Sequence, residues 1–227
     1  MLFKFKIEKT ESLKKTVAVL KSIANDMTFK VTQYGVVLTV IDEANTCLIH
    51  IDVKAHEIKL IDAEEYVISV DMDKFYKILT HTEGIFTIEQ TVPDRLCLHS
   101  ESETYTVALI DSVGSQAIPD MVFNTICMMP SVTLSGAIKS SLNISEEVSL
   151  SSDMVLSAES EQCSSRLQLK LGYVSTDDLS RTLTKSQLTS IAKLSKLSKT
   201  VSVGMADGLP LRTLFVTDLG TISFFIH

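Results

Sequence analysis

The sequence predicts an α+β chain made of two similar domains, each with two helices packed on antiparallel β-sheet. Three observations predict it. Short apolar or alternating runs recur along the whole length, only four stretches carry a helical apolar stripe, and the order of these elements occurs twice.

The runs whose length, period and turn-like flanks suit short strands cover residues 29–40, 47–53, 65–70, 84–89, 95–100 and 105–111. Seven more follow at 122–128, 147–150, 154–159, 167–171, 200–204, 211–217 and 221–226. Four segments read as helices. Residues 12–23 align Leu13, Val17, Leu20 and then Ala24 on one stripe, and residues 71–81 turn Phe75, Ile78 and Leu79 inward. Residues 130–142, opened by Pro130, align Leu134, Ile138 and Leu142, while 185–197 carry Leu188, Ile191 and Ser195.

The order then repeats. SLKKTVAVLKSI is followed by FKVTQYGVVLTV and CLIHIDV, as TLSGAIKSSLNI is followed by VSLSSDMVLSAE and RLQLKL. FYKILTHT precedes strands in the first half as LTSIAKLSKL does in the second. The halves match in pattern more than in letters. Between them, DSVGSQAIPDMVFN holds Gly114 and Pro119 without a clear period, so domains are expected at 1–111 and 125–227, joined by a connector at 112–124.

At 227 residues and 45% hydrophobic content the chain can bury a core. No run approaches the roughly 18 apolar residues of a membrane helix, and the start MLFKFKIEKT has no signal-peptide core. A soluble, intracellular protein with no membrane partner is expected. Cys47, Cys97, Cys127 and Cys163 lie far apart without a CxxC pair, which suits four reduced, largely buried thiols better than a disulfide or metal framework.

The net charge of −7 argues against a nucleic-acid partner until the charges are located. The four helical segments hold nine of the 21 Lys and Arg but only two of the 28 Asp and Glu, Asp71 and Asp73. At about 100° per residue, Lys14 and Lys21 share a strip with Ala18 between them, and Lys74, Lys77 and His81 form a second. Lys185 and Lys196 share a third with Thr189 and Ala192, flanked by Lys193, and Lys15 and Lys139 complete the nine. An ordinary solvated face explains polarity but mixes both signs. A shared basic surface facing phosphates explains the near absence of acids. The strips hold no Arg to read guanine edges and only Tyr76 beside the inward Phe75 to stack on bases, so backbone contact without sequence preference is expected.

With repeat, connector and basic helices in hand, the chain resembles the eukaryotic and archaeal sliding clamp, proliferating cell nuclear antigen. The resemblance runs over essentially the whole length: SLKKTVAVLKSI, GVVLTVIDEANTCLIHIDV, KILT, AIPDMVF, MPS and PLRTLFVTDLGTISFFI, in that order. It implies a DNA clamp fold and a homotrimeric ring of pseudo-sixfold symmetry, with twelve helices lining a hole and sheets outside. It further implies a processivity factor for DNA replication and repair, with duplex DNA, a DNA polymerase, other clamp-binding-motif proteins and a clamp loader as partners. The place of action would be the nucleus in a eukaryote, otherwise the cytoplasm or a viral replication site. Lys14, Lys15, Lys21, Lys77, Lys139 and Lys193 fall where the family has basic channel residues, whereas Gly136 stands where it has another. The connector would present Ile118 and Pro119 above a pocket including Ile41, Leu48, Pro210 and Phe225, and a partner peptide would place aliphatic and aromatic side chains there. Departures are Phe225 for Tyr, Gln116 for an apolar residue, and an end at His227 without the tail that helps hold such peptides.

Three other readings stay open: a subunit of a heterotrimeric checkpoint-type clamp, an interaction protein that kept the fold without the ring, and an enzyme. The third has least support. The adjacent acids Glu64–Glu65, Glu146–Glu147 and Asp177–Asp178 lie in polar turn-like sequence, and the five His lack HxH or HExxH spacing. No GxSxG elbow or Gly-rich phosphate loop occurs. No catalytic residue, cofactor or metal is expected.

Overall fold

In the first strand, β1 (Phe3–Ile7), side-chain alternation becomes structure directly: Phe3, Phe5 and Ile7 are buried while Lys4 and Lys6 point outward. The computed structural model describes residues 1–61, 63–111, 118, 121–170 and 178–227. After β1 come α1 (Thr10–Leu20), β2 (Asp26–Thr32), β3 (Gly35–Ile41), β4 (Cys47–Val53), β5 (His56–Leu60), β6 (Glu65–Asp71), α2 (Met72–His81), β7 (Phe86–Val92), β8 (Arg95–His99) and β9 (Thr104–Ala108). The second series is β10 (Thr125–Pro130), α3 (Ser131–Leu142), β11 (Glu147–Ser151), β12 (Val155–Glu159), β13 (Ser164–Gln168), β14 (Ser180–Thr184), α4 (Lys185–Leu194), a 3-10 turn at Ser195–Leu197, β15 (Thr200–Met205), β16 (Leu211–Val216) and β17 (Gly220–Ile226). Among the described residues, no helix is long and apolar enough to cross a membrane.

The chain divides into two compact units, Met1–Ile118 with Thr217–Ile222, and Pro119–Val216 with Ser223–His227. Of the expected connector, residues 112–117, 119 and 120 lie outside the described residues.

Strand pairing makes the internal repeat explicit. In the first unit β1 pairs with β7, β7 with β8 and β8 with β9, all antiparallel, and β2 pairs with both β3 and β6 while β3 pairs with β4. In the second unit β10 pairs with β15 and β15 with β16, while β11 pairs with β12 and β14, and β12 with β13. These connections correspond between the units, and β5, which pairs with β1, is the first unit's addition among the described residues. In each unit the two helices pack on one another, α1 on α2 and α3 on α4.

Helix starts follow local chemistry. Asp71 caps α2 by accepting from the Lys74 amide at 2.9 Å, and Thr184 opens α4 with a reciprocal capping box to Gln187. Pro130 precedes α3 with extended backbone and no side-chain cap; the Ser131 amide instead donates to the Lys199 carbonyl at 2.9 Å. The first core is aromatic: Phe5 lies 6.3 Å from Phe29, Phe29 5.6 Å from Phe75 and Phe75 6.1 Å from Phe86, ring centre to ring centre. The second helix pair instead buries the aliphatic Leu134, Ile138, Leu188 and Ile191.

Several expectations are corrected. The first helix is Thr10–Leu20 and not 12–23: buried Thr10 donates from Oγ1 to the Gly84 carbonyl at 2.6 Å, which draws Glu11 into the first turn. The fourth ends at Leu194 and tightens into the 3-10 turn. Residues 29–40 are two strands of a hairpin, turned where the Thr32 hydroxyl accepts from the amides of Tyr34 and Gly35, each at 3.2 Å. Three strands, β1, β5 and β14, are additions to the expected set. None of the four cysteines is in a disulfide among the described residues, and only Cys47 and Cys127 are buried; Cys97 is half-buried and Cys163 exposed.

Candidate nucleic-acid interface

Each helix pair buries one stripe and leaves the other side to polar residues. α1 turns Leu13, Val17 and Leu20 into the core, and α2 turns in Met72, Phe75 and Leu79. α3 buries Leu134 and Ile138, and α4 buries Leu188, Ile191 and Leu194. All nine expected lysines lie on these helices or at their ends: Lys14 and Lys15 in α1 with Lys21 as its C-cap, Lys74 and Lys77 in α2, Lys139 in α3, Lys185 and Lys193 in α4, and Lys196 in the 3-10 turn.

The structure sorts them by company. Lys14 meets Glu11 at 2.7 Å, Lys21 meets Asp73 at 2.8 Å, Lys74 approaches Asp71 at 3.7 Å, and Lys185 meets Glu146 at 2.7 Å. Lys21 also lies over the Tyr76 ring, 5.2 Å from its centre. Hydrogen bonds from these lysines hold three of the carboxyls below their ordinary pKa: Glu11 by Lys14, Asp73 by Lys21 and Glu146 by Lys185. Depressed carboxylate values keep those pairs charged as pH falls through the usual carboxylate range, so none of them opens near neutrality. Lys15, Lys77, Lys139 and Lys196 are exposed, with no carboxylate within 4.0 Å among the described residues. Screened, solvated pairs of this kind contribute little to stability.

Sequence reasoning missed the counter-charges Glu11 and Glu146. The first carries a legible signal, since it stands three residues before Lys14 on a helix; the second comes from a loop 39 residues away from its partner. Gly136 is exposed in α3, and a Cβ there would meet nothing within 4 Å.

The expected partner-docking residues are placed as follows. Ile41 and Leu48 are half-buried and face each other across the β3–β4 ladder. Ile118 and Pro210 are half-buried, Phe225 in β17 is 5% exposed, and Pro119 lies outside the described residues. The expected assembly segments, 105–111 and 166–171, fall at sheet margins: β9 has β8 as its only strand neighbour, and β13 only β12, among the described residues. Leu171 lies outside them.

A duplicated α+β unit with two helices over antiparallel strands is the fold of the DNA sliding clamps. Residues 2–112 match the family model described as proliferating cell nuclear antigen, N-terminal domain. The first half of the chain thus carries the N-terminal domain of this sliding-clamp family, whose members are non-enzymatic. No curated protein matches the chain.

Proposed function

We propose that this chain closes into a homotrimeric ring around duplex DNA, where it holds a DNA polymerase and other clamp-binding-motif proteins after a clamp loader has placed it. The observation that carries this reading is the charge sorting: in a chain of net charge −7, exposed lysines gather on the paired helices of both units. Lysine is a strongly hydrated point charge on a flexible stem, suited to loose, non-specific phosphate contact. Weak contact suffices where the ring itself prevents escape, and it leaves sliding unhindered. The margins of β9 and β13, which have one strand neighbour each among the described residues, support closure, because pairing them between subunits would satisfy further backbone groups. Ile118, Pro119, Ile41, Leu48, Pro210 and Phe225 are the proposed docking residues for partner peptides, and in a eukaryotic host the nucleus is the proposed place of action.

The test is native mass with and without DNA. Three copies of the 25.0 kDa chain, retained on nicked circular DNA once loaded and lost when the circle is cut, are the expected result. A chain that stays monomeric at assay concentrations, or one trapped equally by linear and circular DNA, overturns the ring.

A further inference from the structure

Phe123 is the buried anchor of the connector's downstream end. It is 6% exposed, although Val122 before it is 79% exposed and Asn124 after it is also exposed. Two strands of the second unit receive its ring. On β15, a Cβ built at Gly204 would sit 3.1 Å from Phe123 Cγ and 3.3 Å from Cδ1, so the bare glycine is what admits the ring against the strand. On β16, Arg212 stands opposite Gly204 in register and carries its guanidinium carbon 4.3 Å from the ring centre. The ring is therefore held between a gap in one strand and a cation from the next. Arg212 Nε is buried and has no hydrogen-bond partner among the described residues, and burial lowers the Arg212 pKa. A cation that leaves one donor unmet while covering an aromatic ring is costly as plain packing. An apolar side chain would fill the same space without that penalty.

We propose that Gly204, Arg212 and Phe123 form a clasp that fixes the downstream end of the connector and so positions Ile118 for partner docking. The docking half of this statement rests on the function proposed above. Ile118 lies five residues upstream, within about 17 Å of fully extended chain from the clasp. Pinning one end this close restricts where Ile118 can go before any partner arrives, which lowers the ordering cost of binding.

The clasp and the docking role are separable by experiment in the full chain. Phe123→Ala, Gly204→Ala and the milder Arg212→Met are compared with the parent by hydrogen exchange at the amides of residues 121–124. Affinity is measured for a synthetic peptide carrying one aliphatic and two aromatic anchor side chains, with Ile118→Ala as the docking control. Faster exchange together with affinity lower by about tenfold, partly restored in Arg212→Lys relative to Arg212→Met, is the expected result. Unchanged exchange in Phe123→Ala and Gly204→Ala overturns the clasp. Faster exchange with parental affinity, while Ile118→Ala still weakens the peptide, overturns the coupling of clasp to docking. Should Ile118→Ala bind normally as well, the docking site itself is wrong and the coupling falls with it, while the exchange data still decide the clasp.

Discussion

Phe75 stands at the middle of the aromatic row that runs from Phe5 through Phe29 to Phe86, and none of its surface reaches solvent. Its counterpart in the second unit, fourth residue of α4, is Leu188. Removing the ring forfeits its transfer free energy and its packing on two sides, and the neighbouring rings are too rigid to refill the space. Phe75→Ala should therefore lower stability by about 3–5 kcal/mol, read from the midpoint of urea unfolding. A loss below about 1 kcal/mol would mean that the row relaxes around the gap. The same residue illustrates what is legible in sequence. Helical period alone places Phe75 inward, whereas its packing on Phe29 and Phe86 joins residues distant in sequence, which no local pattern encodes. The ion pair of Lys21 with Asp73 is hidden for the same reason, since it bridges α1 and α2.

At the scale of elements, the basic helices carry both lysines already paired with acids and exposed lysines with no carboxylate within 4.0 Å among the described residues. Changing Lys15, Lys77, Lys139 and Lys196 to Glu should leave folding nearly intact, at roughly 0.5 kcal/mol or less for each exposed site. Polymerase stimulation on DNA should fall, and the slope of log affinity against log salt should shrink by about 0.9 for every phosphate no longer neutralised. Equal processivity in this variant and the parent would remove these helices from the interface. The third helix offers the opposite experiment. Gly136 weakens α3 by about 1 kcal/mol relative to alanine, and its Cβ direction is open. Gly136→Lys should raise both thermal midpoint and DNA association; a drop in either would show that the position does not face open solvent. Element boundaries are harder to read from sequence than element types. β1 is legible in the strict alternation of FKFKI. By contrast β5 (HEIKL) and β14 (SRTLT) are mostly exposed, so they lack the apolar alternation that marks a half-buried strand. Thr10 enters its helix through a hydrogen bond to Gly84, a partner 74 residues away.

At the scale of the whole molecule, the two-fold repetition survives in pattern where it is lost in letters, because a pairing scheme constrains period and order rather than identity. The margins β9 and β13 do not repeat one another in this scheme: β9 ends a sheet of the first unit and β13 a sheet of the second. A contact between unlike margins is head-to-tail, and where its rotation closes, as in the proposed trimer, it gives a ring in which every subunit points the same way. Such a ring has two different sides, like a threaded washer stamped on one face. Duplex DNA entering it can be approached from the stamped side or the blank one, so the proposed assembly would carry a direction of travel that DNA's own paired strands, running in opposite senses, do not supply.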